Sequence, residues 1–100
     1  MSVRAYHFWS PTCMPCNHIK PAIEQLKQDF QEVKWISVNT HSDKEAYAVV
    51  HNVKVVPTII VEIRDNKGKL VGGQRASGTD MMAYHRMIRG AIKVASQLPA

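Results

Sequence analysis

Cysteine is nearly missing from this chain: two occur, Cys13 and Cys16, three positions apart. A loop that short cannot staple distant elements, so a disulfide framework is excluded as the source of stability. Long apolar runs are missing too. No stretch approaches the ~18 residues needed to cross a bilayer, and the start, Met-Ser-Val-Arg-Ala-Tyr-His-Phe-Trp, has no apolar segment of signal-peptide length. No membrane association is therefore expected, and the simplest address is the cytoplasm. Acidic residues are scarce, 8 against 13 Lys and Arg, giving a net charge of +5. The positive residues are scattered, so a solvated basic surface is expected; acidic protein partners would suit it. Aromatic residues are only 7% and fall mostly at core positions, leaving no stacking platform, so nucleic acid is not expected as a partner.

What is present suits one small folded unit. Hydrophobic residues make up 45% of 100, enough for a single core over residues 1–100, with no repeat or linker to divide them. Val3 to Trp9 reads as a buried strand. From Cys13 the apolar positions Ile19, Ala22, Ile23, Leu26 and Phe30 fall on one helical face, with a kink expected at Pro21. Val33 to Asn39 reads as a second strand. Ser42 and Glu45 have capping-box spacing and open a short helix through Ala46, Val49 and Val50, with Asn52 as a left-handed stop. Thr58 to Ile63 is a β-branched strand, with Pro57 confined to its start. Asp65-Asn66-Lys67-Gly68 turns the chain into a returning strand, Leu70 to Arg75. A glycine and a cap, Gly78 and Asp80, lead into a last helix. Its stripe is Met81, Tyr84, Ile88, Ala91, Ile92 and Ala95, and it ends at Leu98-Pro99. The expected class is α/β, in the order β-α-β-α-β-β-α, with a mixed central sheet and helices on both faces.

Chemistry concentrates in Cys13-Met14-Pro15-Cys16. The first cysteine follows a strand and sits at a helix N-terminus, where unpaired amides and the dipole stabilise a thiolate, lowering its pKa from ~8.5 toward ~7. Cys16 lies one turn deeper on the same side. That asymmetry predicts Cys13 as the attacking nucleophile and Cys16 as the thiol that resolves the mixed disulfide. Pro15 suits the first helical turn and offers no amide needing a partner.

With Phe8-Trp9-Ser10-Pro11-Thr12-Cys13-Met14-Pro15-Cys16, Val56-Pro57-Thr58 and Gly78 in view, the chain resembles the thioredoxin family from about Val3 to Leu98. The resemblance implies a thioredoxin-like fold and a cis bond before Pro57. It also implies electron transport by dithiol exchange with protein disulfides, with thioredoxin reductase or glutathione as electron source. The substrate backbone would pair beside Val56 by strand addition, with contacts from Thr12, Met14, Pro15, Pro57, Thr58 and Gly78. No cofactor is expected beyond the Cys13–Cys16 couple, and the expected state is a monomer.

Several positions differ from the family pattern. Its extra N-terminal strand and helix are absent, which gives a glutaredoxin-sized outline. Met14 replaces a glycine, and Thr12 a tryptophan. His7 stands where a buried carboxylate is usual, and either Trp35 or Ser37 where its lysine partner is usual. His7 is a candidate catalytic proton acceptor for the second cysteine; the alternative is a buried histidine without a catalytic part.

Three rival readings remain. Cys13, Cys16, His7 and His18 are possible zinc ligands, but a structural site wants a second ligand pair at fixed spacing, so no metal is expected. His41, His51 and His85 read as dispersed surface residues. A non-enzymatic interaction module is the second alternative. The third is a glutathione-dependent reductase, with Thr58 and Thr79 as donors to a carboxylate and Asp80 near the glutathione amine.

Overall fold

The computed structural model describes residues 2–97. The elements are β1 (Ser2–Trp9), α1 (Met14–Asp29), β2 (Lys34–Asn39), α2 (Tyr47–Val50), β3 (Thr58–Arg64), β4 (Leu70–Ser77) and α3 (Met81–Gln97). The sheet order is β2-β1-β3-β4. β1 and β2 run parallel through the α1 crossover, whereas β3 is antiparallel to both β1 and β4. The sheet is therefore mixed, as the alternation of elements implied.

Period-two alternation divides the strands between two cores. Val3 and Ala5 of β1 and Ile59, Val61 and Ile63 of β3 face α1 and α3, meeting Ile19, Ile23, Leu26, Tyr84, Met87, Ile88 and Ala91. Tyr6, Phe8, Val38 and Ile60 face the other way, under Tyr47, Ala48, Val53 and Val56. Ala22, expected on the inner face of α1, is exposed; Ile19, Ile23 and Leu26 fill that face without it. Pro21 lies inside α1 on its exposed side, and the helix continues to Asp29.

The short helix departs most from expectation. Ser42 does not cap it. Ala46 takes the N-cap position at φ 55°, and the cap is supplied by Asp43, whose carboxylate accepts from the Tyr47 and Ala48 amides at 3.0 and 2.8 Å. Val49 and Val50 point outward, 81% and 73% exposed. Tyr47 turns inward instead, with its ring 5.3 Å from Tyr6, and the His51 ring lies 4.5 Å from Tyr6. Asn52 does adopt the left-handed stop, at φ 54°.

The hairpin follows its turn chemistry. Asp65 Oδ1 accepts from the Lys67 and Lys69 amides, and Gly68 takes φ 80°, a region side chains avoid. Asp80 caps α3 by accepting from the Met82 and Ala83 amides. The expected helix end at Leu98-Pro99 lies outside the described residues. No helix among those residues is long and apolar enough to cross a membrane.

Candidate active site

β1 delivers the chain to Ser10, and a turn closed by the Cys13 amide donating to the Ser10 carbonyl (3.2 Å) sets Cys13 at the N-cap of α1. The Cys13 backbone is extended (φ −87°, ψ 110°), and its Sγ accepts from the Cys16 amide at 3.1 Å. The two cysteines form a disulfide, with Cα atoms 5.2 Å apart. Cys16 is 6% exposed while Cys13 is half-buried, so the first sulfur faces solvent and the second faces the protein. The first turn of α1 carries no acidic side chain. Nothing there opposes negative charge on Cys13, and the helix end favours it.

The segment before β3 reaches across to this sulfur. Val56–Pro57 is a cis peptide, and the Val56 carbonyl oxygen lies 3.8 Å from Cys13 Sγ. Among the described residues the Val56 N–H and carbonyl enter no backbone–backbone hydrogen bond. Gly78, at φ 103°, donates its amide to the Pro57 carbonyl at 3.0 Å. The Tyr84 hydroxyl of α3 sits between the Pro57 and Gly78 carbonyl oxygens. Burial, with Asp80 nearby, pushes the Tyr84 phenol up to about 12, so it stays a donor. Thr58 is buried; its hydroxyl donates to the Val55 carbonyl and meets Ser77 Oγ, each at 2.7 Å. It is thus held within the protein rather than offered to a ligand. Thr12, Met14 and Pro15 form an exposed rim, with Met14 81% exposed.

Behind Cys16 lies a small cavity of about 70 Å³, whose lining includes His7, Trp9, Cys16, Lys27 and Ser37. His7 is 7% exposed, and its Nδ1 has no hydrogen-bond partner. Burial, and secondarily the Lys27 ammonium, pushes the imidazole down to about 4, so the ring is neutral at physiological pH. Ser37 stands directly opposite His7 in the β1–β2 register, and Ser37 Oγ accepts from Trp9 Nε1 at 2.8 Å. Trp35 pairs with Ala5 and donates its indole N–H to the Phe30 carbonyl. Ser37, not Trp35, is therefore the cross-strand neighbour of His7.

Among the described residues no three His, Cys, Asp or Glu side chains converge to hold a metal ion. Of the histidines read as surface residues, His41 is exposed, whereas His51 and His85 are half-buried. His51 packs on Tyr6, and the His85 ring lies 5.5 Å from Phe30. His41 Nε2 is 3.1 Å from the Oγ of buried Ser10. No local pattern in the sequence announces that last contact, because 31 positions separate its partners.

The family model described as Thioredoxin matches residues 5–84. The chain belongs to the thioredoxin family. It is 31% identical over 67 residues to the M-type chloroplastic thioredoxin of Brassica napus, a match covering 66% of this chain and 37% of that protein. Against thioredoxin 1 of Nostoc sp. identity is 27% over 67 residues, covering 66% and 62%. The chain thus spans less than two thirds of the length of these curated relatives. Fasciola hepatica thioredoxin superposes with a TM-score of 0.74 at 27% identity, over 90% of this chain and 81% of that one. Plasmodium falciparum thioredoxin gives 0.76 at 19% identity, over 90% and 71%, a likeness of fold. The thioredoxin resemblance seen in the cysteine segment, the Val56–Pro57 bond and Gly78 therefore extends through the whole arrangement.

Proposed function

We propose that this thioredoxin-family chain is a thiol–disulfide oxidoreductase acting on protein disulfides. One observation carries the reading: a half-exposed Cys13 at a helix N-cap is bonded to a buried Cys16, with the Val56 carbonyl 3.8 Å from the outer sulfur. In the reduced protein Cys13 is the thiolate, held by the Cys16 amide and the helix end. It attacks one sulfur of a substrate disulfide, and the other substrate sulfur leaves as a thiolate and takes a proton. Cys16 then loses its proton and attacks Cys13 Sγ. The second substrate sulfur leaves and is protonated, and the intramolecular disulfide returns.

His7 supports the second step. His7 and Cys16 line the same cavity, the His7 Nδ1 has no hydrogen-bond partner, and burial keeps the ring neutral, the form that accepts a proton. Because a general base works best with a pKa near the operating pH, a ring held at about 4 gives this step only modest help. Met14 and Pro15, with Thr12 beside them, form the rim against which the substrate lies, while its backbone pairs with Val56. Pro57 and Gly78 hold that edge in place. The Thr58 hydroxyl, one of the groups a glutathione carboxylate would need, is held by Val55 and Ser77, which favours protein substrates over glutathione itself. Reduction of the pair by a thioredoxin reductase, a monomeric state and a reducing compartment such as the cytoplasm complete the proposal.

Equilibration of the Cys13–Cys16 pair with a glutathione redox buffer, alongside insulin reduction, tests it. A potential below the glutathione pool, with insulin turnover, is the expected result. A potential well above that pool would make the protein an oxidase or isomerase. Absence of any reversible couple would leave an interaction module.

A further inference from the structure

The turn that presents Cys13 is tied to a distant loop by a side-chain cluster whose Ser10 and His41 have no part in the exchange steps above. Ser10 is buried, and its Oγ has three partners: the Thr12 amide at 3.2 Å, Thr12 Oγ1 at 3.1 Å and His41 Nε2 at 3.1 Å. The Ser10 carbonyl takes the Cys13 amide. One residue therefore fixes both the side chain before Cys13 and the start of α1. A hydroxyl accepts two hydrogen bonds and donates one, so the Thr12 amide, Thr12 Oγ1 and His41 saturate Ser10, whichever of the last two donates. The loop after β2 is held in turn, because the His41 amide donates to Asn39 Oδ1 and the Thr40 amide to the Trp9 carbonyl.

We infer that His41 is a positioning residue: through Ser10 it holds the 10–13 turn in the geometry that lets the Cys16 amide stabilise the Cys13 thiolate. The inference rests on the oxidoreductase reading and adds a residue outside the cysteine segment and the Pro57 loop. A hydrogen bond to a thiolate is charge-assisted and stronger than one to a disulfide sulfur. Loosening the turn therefore costs the reduced form more than the oxidised form. Without His41 the Cys13 thiol should be less acidic and the pair more reducing.

The test is alkylation of Cys13 by iodoacetamide as a function of pH, with the reduction potential, in His41→Ala and His41→Gln. Loss of about one hydrogen bond predicts alkylation roughly threefold slower near neutral pH in His41→Ala and a more negative potential. Gln places a polar atom near the Nε2 position and should restore both. The Ser10→Ala/His41→Ala double variant should match Ser10→Ala alone, since the influence passes through that hydroxyl. A His41→Ala protein that loses stability but keeps the wild-type alkylation profile and potential would overturn the inference and leave the oxidoreductase reading intact. A wild-type protein with no reversible couple would remove that reading, and this one with it.

Discussion

On one side of the sheet, α1 and α3 contribute seven buried residues of their own to a cluster of thirteen; on the other, four buried strand residues lie under α2 and its flanking loops, and α2 buries none of its own. Cys16 and His7 line the cavity on the α1 side. Val56 and His41 come from the loops of the thin side, and both reach the Cys13 region from there. The outer cysteine thus stands where a rigid, deeply packed half meets a lightly covered one. A resolving thiol needs a fixed distance to its partner, whereas a substrate edge needs access. The unequal layers give each requirement its own side.

The largest expected effect lies in the thick layer. Ile88 is fully buried within it, and Ile88→Ala should cost about 2–5 kcal/mol in urea unfolding, from lost transfer energy plus a cavity. Its reduction potential should stay at the wild-type value. Ile60→Ala, under the thin cover, should cost less, because the loops above it can collapse. Equal costs would break the comparison.

Acid comes next. His7 is pushed down to about 4 in the folded chain and titrates near ~6.5 when unfolded. Below the unfolded value the unfolded state binds the extra proton, so stability is complete above about pH 6.5. It falls as the pH drops towards 4, by at most about 3 kcal/mol. His7→Gln should flatten that part of the stability–pH curve. The same slope in the variant would place the acid sensitivity elsewhere.

Strands, long helices and the Asp65–Gly68 turn were legible because each is decided by neighbours a few positions away. The cis bond at Pro57 came from the family resemblance alone, since a proline at a strand start is equally at home in trans. Ser42 and Glu45 matched the capping-box pattern, yet the chain leaving β2 brings Asp43 to the helix instead. Val49 and Val50 looked like a core stripe, but the aromatic cluster of Tyr6, Tyr47 and His51 occupies the inner positions. The local basicity of His7 and the reach of His41 to Ser10 depend on what the fold brings together: burial, and secondarily Lys27, in the first case and the loop after β2 in the second.

The smallest effect is also the sharpest comparison, because each layer has one aspartate capping one helix. Asp80 caps the seventeen residues of α3, whose buried stripe holds the helix along its length. Asp80→Ala should cost about 1 kcal/mol globally, with the rest of α3 still protected from hydrogen exchange. Asp43 caps four residues with none buried, and its two bonds are much of what orders them. Asp43→Ala should change global stability by less than about 1 kcal/mol, because the turn is only four residues long and Tyr47 and Ala48, which pack on the sheet, are just partly buried. The His51 and Asn52 amides, which donate to Tyr47 and Val49, should nevertheless exchange far faster. Asp43→Asn, which keeps one acceptor oxygen, should recover part of the protection. If instead Asp43→Ala unfolds the chain as readily as Ile88→Ala, the thin layer carries as much of the fold as the thick one.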